Sequence, residues 1–371
     1  MRSLPRSVCL YFSFLVFLSS FAVAQPAYTS PEVSSDGRVT FRLLAPNAHA
    51  VAVKGLRGIE PQSMSKGGDG VWSVTIGPIP PDLYTYTFDV DGAAFTDPMN
   101  RRLQEWISQQ SQLEVPGKEP SLICRQNVPH GVVHRHILPS KIRGGEVAMQ
   151  VYTPPDYDPK AGRTYPVLYL LHGTGDEEGA WIANGRANYV ADNLLAQKLM
   201  IEAIIVMPNG HPVPYPDLTS PADYRQRNFA AMDREMLTVV IPYVVSHYSV
   251  QADAKGRAVA GLSMGGYHAL GLGLGHPEQF GWVGSFSAGL SAADFSRDYA
   301  AGVRAVADRT SFPQLVWIGC GDRDGGLDRN KALITWLEQN KLPNEWHLTP
   351  GGHEWPLWRD YLGRYLQKIF R

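Results

Sequence analysis

The sequence predicts an α/β protein with a small all-β sandwich on its N-terminal side. Two observations lead to this prediction. Short alternating segments separated by Gly, Pro and Asn fill residues 31–97, whereas continuous apolar segments alternate with helical patterns after residue 120. Alternation is typical of strands with one buried face, and apolar runs separated by helices are typical of a mostly parallel sheet covered on both faces.

The composition is that of a globular protein without a strong charge bias. The chain has 371 residues, of which 44% are hydrophobic and 19% charged, enough for two domains with sizeable cores. Its formal net charge of −1 gives no long-range attraction to nucleic acid or to an anionic membrane. We therefore expect no nucleic-acid partner, and no membrane partner once the N-terminal segment is removed.

The first residues have the pattern of an export signal. Arg2 and Arg6 precede an apolar run over residues 8–21, and Ala22-Val23-Ala24 has the small-x-small pattern of a cleavage site. The run is shorter than the roughly 20 apolar residues of a membrane-spanning helix. We expect a signal peptide over residues 1–24 and a secreted or periplasmic protein.

Residues 25–117 are predicted to form the sandwich. Its clearest strands are residues 38–43, 51–53, 71–76 and 84–90, and the last runs into the turn Asp91-Gly92. Residues 101–120 are polar and weakly patterned, so we interpret them as a linker and place the domain boundary at Gly117.

Residues 118–371 are predicted to form the α/β domain. Apolar segments predict strands at residues 147–152, 167–171, 204–207, 258–260 and 315–318, and helical patterns cover residues 189–197, 233–247 and 331–339. Two cysteines, Cys124 and Cys320, lie outside the signal segment. Cys320 ends an apolar run, which favours a buried thiol over a disulfide.

The strongest chemical motif is Gly261-Leu262-Ser263-Met264-Gly265, a G-x-S-x-G sequence between a short strand and a helical pattern. This is the context of a nucleophile elbow in an α/β-hydrolase fold. A side chain at either glycine would collide with a neighbouring strand or helix. The turn raises the serine hydroxyl above the sheet edge, and we identify Ser263 as the candidate nucleophile.

A serine hydroxyl needs a base and an orienting acid, which follow the serine along the chain in this fold. His353 lies in a glycine-bounded loop after a predicted strand and is the candidate base; His347 lies inside that strand. Asp322, Asp324 and Asp328 all follow a late strand. We choose Asp324, because two loop residues past the strand let its carboxylate turn towards His353.

Backbone amides must stabilise the oxyanion of a tetrahedral intermediate. The amide of Met264 follows the nucleophile, and the amide of Thr174 lies in the loop after the strand 167–171. No cofactor motif is present. His130, His134 and His136 lack acidic or cysteine neighbours in the sequence, so we expect no metal site.

The second domain resembles carbohydrate esterase family one, which contains feruloyl and acetylxylan esterases. The matching segments are 151–155, 165–173, 185–188, 192–196, 207–211, 261–266 and 352–355. The resemblance implies an α/β-hydrolase fold and places Ser263 on the family's nucleophile, His353 on its base and Asp324 on the Asp of its Gly-x-x-Asp segment. It also places Thr174 in the oxyanion loop. A second Asp, at 322, leaves the acid open between the two.

The first domain is similar to the immunoglobulin-like sandwich module of glycogen-branching enzymes. Tyr84-x-Tyr86-x-Phe88, Asp91-Gly92 and Asp97-Pro98 carry this likeness. Aromatic residues such as Trp72 either stack on sugars or fill the sandwich core.

These resemblances imply a serine esterase that releases feruloyl or acetyl groups from plant-wall xylan, so the expected substrate is an ester linked to a polysaccharide. The signal pattern of residues 1–24 implies that the enzyme is exported. Trp181 and Trp355 are expected to contact the substrate near its acyl group. The alternatives are an enterochelin-type siderophore esterase, an acyltransferase to a sugar, and an inactive hydrolase fold that binds without turnover.

Overall fold

The computed structural model describes residues 28–104, 109–217, 220, 223–288 and 313–371. The predicted signal peptide, residues 1–24, lies outside them. In this part of the chain an all-β region precedes an α/β region, as the sequence predicts. Within the described ranges, none of the helices has both the length and the apolar character needed to cross a bilayer.

The all-β region contains two antiparallel sheets. One has the strand order β1-β2-β6-β5; the other has the order β4-β3-β7-β10-β9, with β8 also paired to β7. The strands are β1 (Glu32–Val33), β2 (Val39–Leu44), β3 (Val51–Lys54), β4 (Gln62–Ser63), β5 (Ser65–Lys66), β6 (Val71–Ile76), β7 (Asp82–Val90), β8 (Ala93–Phe95), β9 (Leu103–Gln104) and β10 (Gln110–Val115).

The two sheets enclose one core. Phe41 of β2 and Tyr86 of β7 are fully buried and meet edge to face, with ring centroids 4.8 Å apart. Trp72 is also buried, and its indole nitrogen donates a hydrogen bond to the carbonyl of Ala45. Trp72 therefore fills the sandwich core and presents no face on which a sugar could stack.

The predicted linker over residues 101–120 is wrong, because this segment contains β10, paired with both β7 and β9. Its polar residues are buried through specific hydrogen bonds. The Ser111 hydroxyl accepts from the amide of Asp97, and the Gln112 side chain donates to that of Asn184. A polar segment is expected to be exposed only where its polar groups lack such hydrogen-bond partners. Here the partners lie 14 and 72 residues away in the sequence, so the local pattern does not reveal them.

The α/β region is built on a sheet of eight strands with the order β11-β12-β14-β13-β15-β16-β17-β18. Strands β13 to β18 pair in parallel, and β11 and β12 are antiparallel. The strands are β11 (Val132–Ser140), β12 (Gly145–Thr153), β13 (Val167–Leu171), β14 (Ile204–Pro208), β15 (Arg257–Leu262), β16 (Trp282–Phe286), β17 (Leu315–Gly321) and β18 (Glu345–Thr349).

Helices cover both faces of this sheet, and buried apolar residues form a separate core on each face. The helices are α1 (Ala180–Ala183), α2 (Ala187–Ala196), α3 (Tyr224–Glu235), a π-helical segment (Met236–Val240), α4 (Ile241–His247), α5 (Met264–Gly275), α6 (Leu327–Gln339) and α7 (Trp355–Leu366). The sequence prediction missed β16. Cys124 and Cys320 are both free; Cys320 is buried, which raises the pKa of its thiol to about 12.

The sandwich packs on the α/β region through a polar contact that we call the seam, formed by Arg57, Asp82, Glu354 and Arg359. Arg359 of α7 is buried; it donates to Asp82 at 2.8 Å and to the carbonyl of Asn184 at 2.7 Å. Burial lowers the pKa of Arg359 to about 10. Arg57 donates to the other oxygen of Asp82 at 2.7 Å and to Glu354 at 3.3 Å.

Replacing Asp82 with alanine is expected to lower the free energy of unfolding by about 3 kcal/mol, because it leaves the buried Arg359 without its ion-pair partner. Urea unfolding would measure this loss. Asp89→Ala, which breaks an ion pair with Lys54 on the exposed sandwich surface, is the matched control and should cost much less. Equal losses of unfolding free energy in the two variants would contradict a stabilising contribution from the seam.

Candidate active site

Four loops that carry candidate site residues follow parallel strands of the large sheet. Thr174 follows β13, Ser263 follows β15, Asp324 follows β17 and His353 follows β18. The carboxyl ends of parallel strands lie at one edge of a sheet, which is where α/β proteins place their sites.

The turn at Ser263 is as tight as the glycines of the motif suggest. A Cβ on Gly265 would lie 2.3 Å from the carbonyl oxygen of Leu171, and one on Gly261 would lie 2.5 Å from the backbone of Gly265. Neither position accepts a side chain. Ser263 itself has φ 50° and ψ −114°, a strained conformation for a residue with a Cβ. Its amide donates to the carbonyl of Phe286 in β16 at 2.8 Å, which holds the turn in place.

Ser263, His353 and Asp324 form one hydrogen-bonded series. The Nε2 atom of His353 lies 3.0 Å from the hydroxyl of Ser263, and its Nδ1 atom lies 3.0 Å from a carboxylate oxygen of Asp324. The imidazole also meets the ring of Trp358 edge to face, with centroids 4.9 Å apart. This geometry allows His353 to take a proton from Ser263 while Asp324 fixes its tautomer.

The structure places Asp324, and not Asp322, against His353. The side chain of Asp324 is 1% exposed. Burial opposes its ionisation, but hydrogen bonds from His353, the amide of Gly326 and Ser287 hold its pKa below the ordinary value. Asp322 instead accepts a hydrogen bond from the amide of Gly351 at 2.9 Å. Asp322 therefore supports the loop that carries His353 and does not touch the imidazole.

Two histidines, the buried His172 and the partly buried His211, hold the loop that carries Thr174. His172 donates from Nδ1 to the carbonyl of Gly173 and accepts from the amide of Gly210 at Nε2. In return, Nε2 of His211 accepts from the amide of Gly175 at 3.2 Å. Burial lowers the pKa of His172 to about 4 and that of His211 to about 3, so both rings remain neutral and able to accept. The loops after β13 and β14 are thus fastened together beside Ser263.

Two cavities meet at Ser263, and Thr174 lines both. The first, about 310 Å³, which we call the seam cavity, is lined by Arg57, Leu83, Tyr84, Thr85, Gln104, Gly173, Thr174, Asp176, Leu262, Ser263, His353, Glu354, Trp355, Pro356, Trp358 and Arg359. The second, about 210 Å³, which we call the inner cavity, is lined by Thr174, Tyr224, Arg225, Asn228, Ser263, Met264, Tyr267, His268, Ala288 and Arg329. A nucleophile between two cavities suits an ester, which has an acyl half and an alcohol half.

The two tryptophans expected at the substrate have different positions. Trp355 lines the seam cavity. Trp181 is 1% exposed and lines neither cavity; its indole nitrogen donates to the carbonyl of Leu171 at 3.0 Å, and its ring packs behind Trp355 with centroids 5.2 Å apart. The expectation that Trp181 touches substrate is therefore corrected: it supports Trp355.

Sequence reasoning missed the sandwich residues that line the seam cavity, including Arg57, Leu83 and Tyr84. No local pattern marks them, because their role depends on how the two regions dock. It also missed Asp176, which lies two residues after Thr174 in the loop already singled out. The signal that could have identified Asp176 is the presence of a carboxylate close in sequence to the predicted oxyanion amide of Thr174.

No group of three or more His, Cys, Asp or Glu residues in the described ranges is arranged to hold a metal ion. His130, which the sequence leaves without an acidic neighbour, pairs with Asp192 at 2.8 Å. His136 contacts the hydroxyls of Tyr243 and Tyr248.

Comparison with known proteins agrees with this geometry. The family model "Putative esterase" matches residues 140–369, more than half of the chain. An endo-1,4-beta-xylanase/feruloyl esterase of Xylanibacter ruminicola is 30% identical over 94% of this chain. The chain spans only 47% of that relative's length.

Solved structures also share the fold. A ferulic acid esterase is 28% identical, with a TM-score of 0.55 over 66% of this chain and 100% of that chain. The enterobactin esterase of Shigella flexneri is 21% identical, with a TM-score of 0.62 over 89% of this chain and 92% of that chain. The chain therefore belongs to the esterase family, in the feruloyl-esterase-like group of carbohydrate esterase family one.

Proposed function

We propose that this protein is an exported serine esterase that hydrolyses feruloyl or acetyl esters of plant-wall xylan. The observation that carries the proposal is the pair of 3.0 Å contacts that join Ser263, His353 and Asp324 at the elbow. The feruloyl esterase relative supports the substrate class. The signal pattern of residues 1–24 supports export to the periplasm or the medium.

The reaction proceeds in two steps. The Ser263 hydroxyl attacks the ester carbonyl while His353 takes its proton, and the amides of Thr174 and Met264 stabilise the oxyanion. The tetrahedral intermediate collapses, the alcohol leaves with the proton from His353, and an acyl-enzyme remains. His353 then takes a proton from water as the water oxygen attacks the acyl carbonyl. The second tetrahedral intermediate expels the Ser263 oxygen, which regains its proton from His353, and the acid is released.

We assign the two halves of the ester to the two cavities on the basis of their lining residues. The leaving alcohol must receive a proton from Nε2 of His353, so it lies on the side where that ring is accessible. His353 lines the seam cavity and is absent from the lining of the inner cavity. The sugar half therefore occupies the seam cavity, beside the sandwich, and the acyl half occupies the inner cavity.

The test is a comparison of initial rates on methyl ferulate, acetylated xylan and a trilactone siderophore, each with wild-type protein and Ser263→Ala. Turnover of methyl ferulate or acetylated xylan that the substitution removes is the expected result, and it also identifies the acyl group. Turnover of none of the three would contradict hydrolysis and favour a sugar acyltransferase or an inactive binder. An assay for acyl transfer to added sugar separates these two.

A siderophore esterase is the second candidate function, because a structure of this class resembles the chain over both of its regions. The Shigella flexneri structure matches both the sandwich and the α/β region, since its likeness covers 89% of this chain. Activity confined to the trilactone would establish this alternative and refute the xylan substrate.

A further inference from the structure

Two acidic side chains that the proposed mechanism does not use line the seam cavity, Glu354 and Asp176. Asp176 lies on the loop after β13 and is 6% exposed. A Cβ built on Gly173 would lie 3.5 Å from Cβ of Ser263 and 3.8 Å from a carboxyl oxygen of Asp176. The carboxyl is thus on the same side of the loop as the nucleophile, and it lines the cavity assigned to the leaving alcohol.

The other charged side chains of this cavity are paired. Arg57 donates to Asp82 and Glu354, and Arg359 donates to Asp82. Glu354 also accepts from the amide of Gly352. In the described part of the chain, by contrast, no group hydrogen-bonds to the carboxyl of Asp176 or forms an ion pair with it.

A buried carboxyl without a partner is costly, because it loses its hydration and gains nothing in return. Burial alone raises the pKa of Asp176 to about 7. Such a group is suited to a ligand that supplies the missing hydrogen bond. A carboxyl oxygen accepts a hydrogen bond from a hydroxyl group in either protonation state.

We propose that Asp176 binds a hydroxyl group of the sugar half of the ester and thereby selects sugar esters over simple alkyl esters. The inference rests on the proposed function, and it adds a specificity-determining residue to it. The ring of Trp355, which lines the same cavity and is only partly buried, is suited to cover the apolar face of a sugar ring. The carboxyl then fixes the orientation of that ring relative to Ser263.

The experiment compares kcat/KM for a feruloyl-arabinose ester with kcat/KM for methyl ferulate, which has the same acyl group and no sugar hydroxyl. In Asp176→Leu the ratio of the two is expected to fall roughly ten- to a hundredfold, the range of a hydrogen bond to a carboxyl group. Asp176→Asn keeps an acceptor oxygen and should retain most of the ratio. Glu177→Gln removes a charge from the neighbouring exposed residue and serves as the matched control.

Thermal unfolding in the absence of substrate separates recognition from a structural role. Because Asp176→Leu removes an unpaired buried polar group, it should keep or raise Tm. A ratio within twofold of wild type in Asp176→Leu, or a clearly lowered Tm, would overturn the assignment. If the wild-type protein hydrolyses acetyl esters and not ferulate esters, the same ratio is measured with an acetylated sugar and ethyl acetate. Failure to hydrolyse esters of either acyl group would instead refute the proposed function, and the inference with it.

Discussion

Replacing Ser263 with alanine is expected to lower kcat by a factor on the order of 10⁴ to 10⁶, the loss that follows removal of a serine nucleophile in enzymes of this type. The physical reason is that no acyl-enzyme can form, while the oxyanion amides and the cavities remain. Initial rates on methyl ferulate measure the effect. Mass spectrometry of the wild-type protein with a slowly hydrolysed ester should show one acyl group on Ser263.

Ser246→Ala, a serine on the exposed side of α4, is the control for this substitution. Its activity should match that of the wild-type protein. If Ser263→Ala retained a tenth of wild-type activity in a preparation free of contaminating esterase, Ser263 could not be the nucleophile.

The second large effect is expected from Asp324→Asn, which should lower kcat by about 10³- to 10⁴-fold. The substitution preserves the shape of the side chain but removes the negative charge that stabilises the imidazolium. It also allows the ring of His353 to adopt the wrong tautomer. The pKa of Asp324 lies below its ordinary value, so the charge is present throughout the neutral range and its loss should lower kcat at every pH in that range.

Asp322→Asn provides a matched comparison two residues away. Asparagine keeps the carbonyl oxygen that accepts from the amide of Gly351, so the loop should stay in place and kcat should fall less than tenfold. The reverse order of the two effects would assign the acid to Asp322. Measuring both variants on methyl ferulate decides which carboxylate acts on His353.

The sequence was sufficient to predict features that depend on local patterns. The apolar run 167–171 is strand β13 with the same limits, and the motif around Ser263 carries its own geometric reason in Gly261 and Gly265. The position of His353 was predictable because the base follows the serine and the acid along the chain in this fold, and His353 lies in a glycine-bounded loop after the last predicted strand. The choice of Asp324 over Asp322 depended on counting loop residues, and only the structure shows which side chain turns inward.

Features that depend on distant partners could not be predicted. Strand β10 was missed because Ser111 and Gln112 are buried by hydrogen bonds to Asp97 and Asn184. Trp181 was assigned to substrate because its place in a motif does not show that its indole is bonded to Leu171 beneath the site. Likewise, Arg57 and Tyr84 reach the seam cavity only once the sandwich has docked.

The docked position of the sandwich has an evolutionary consequence. In many enzymes an attached module only carries the catalytic unit to its substrate, so exchange of the module leaves the chemistry untouched. Here Leu83, Tyr84 and Thr85 belong to the wall of the cavity that contains the nucleophile. Gene recombination that replaced the sandwich would therefore remodel the cavity that we propose for the leaving alcohol, and module shuffling would alter which esters are cleaved as well as where cleavage occurs.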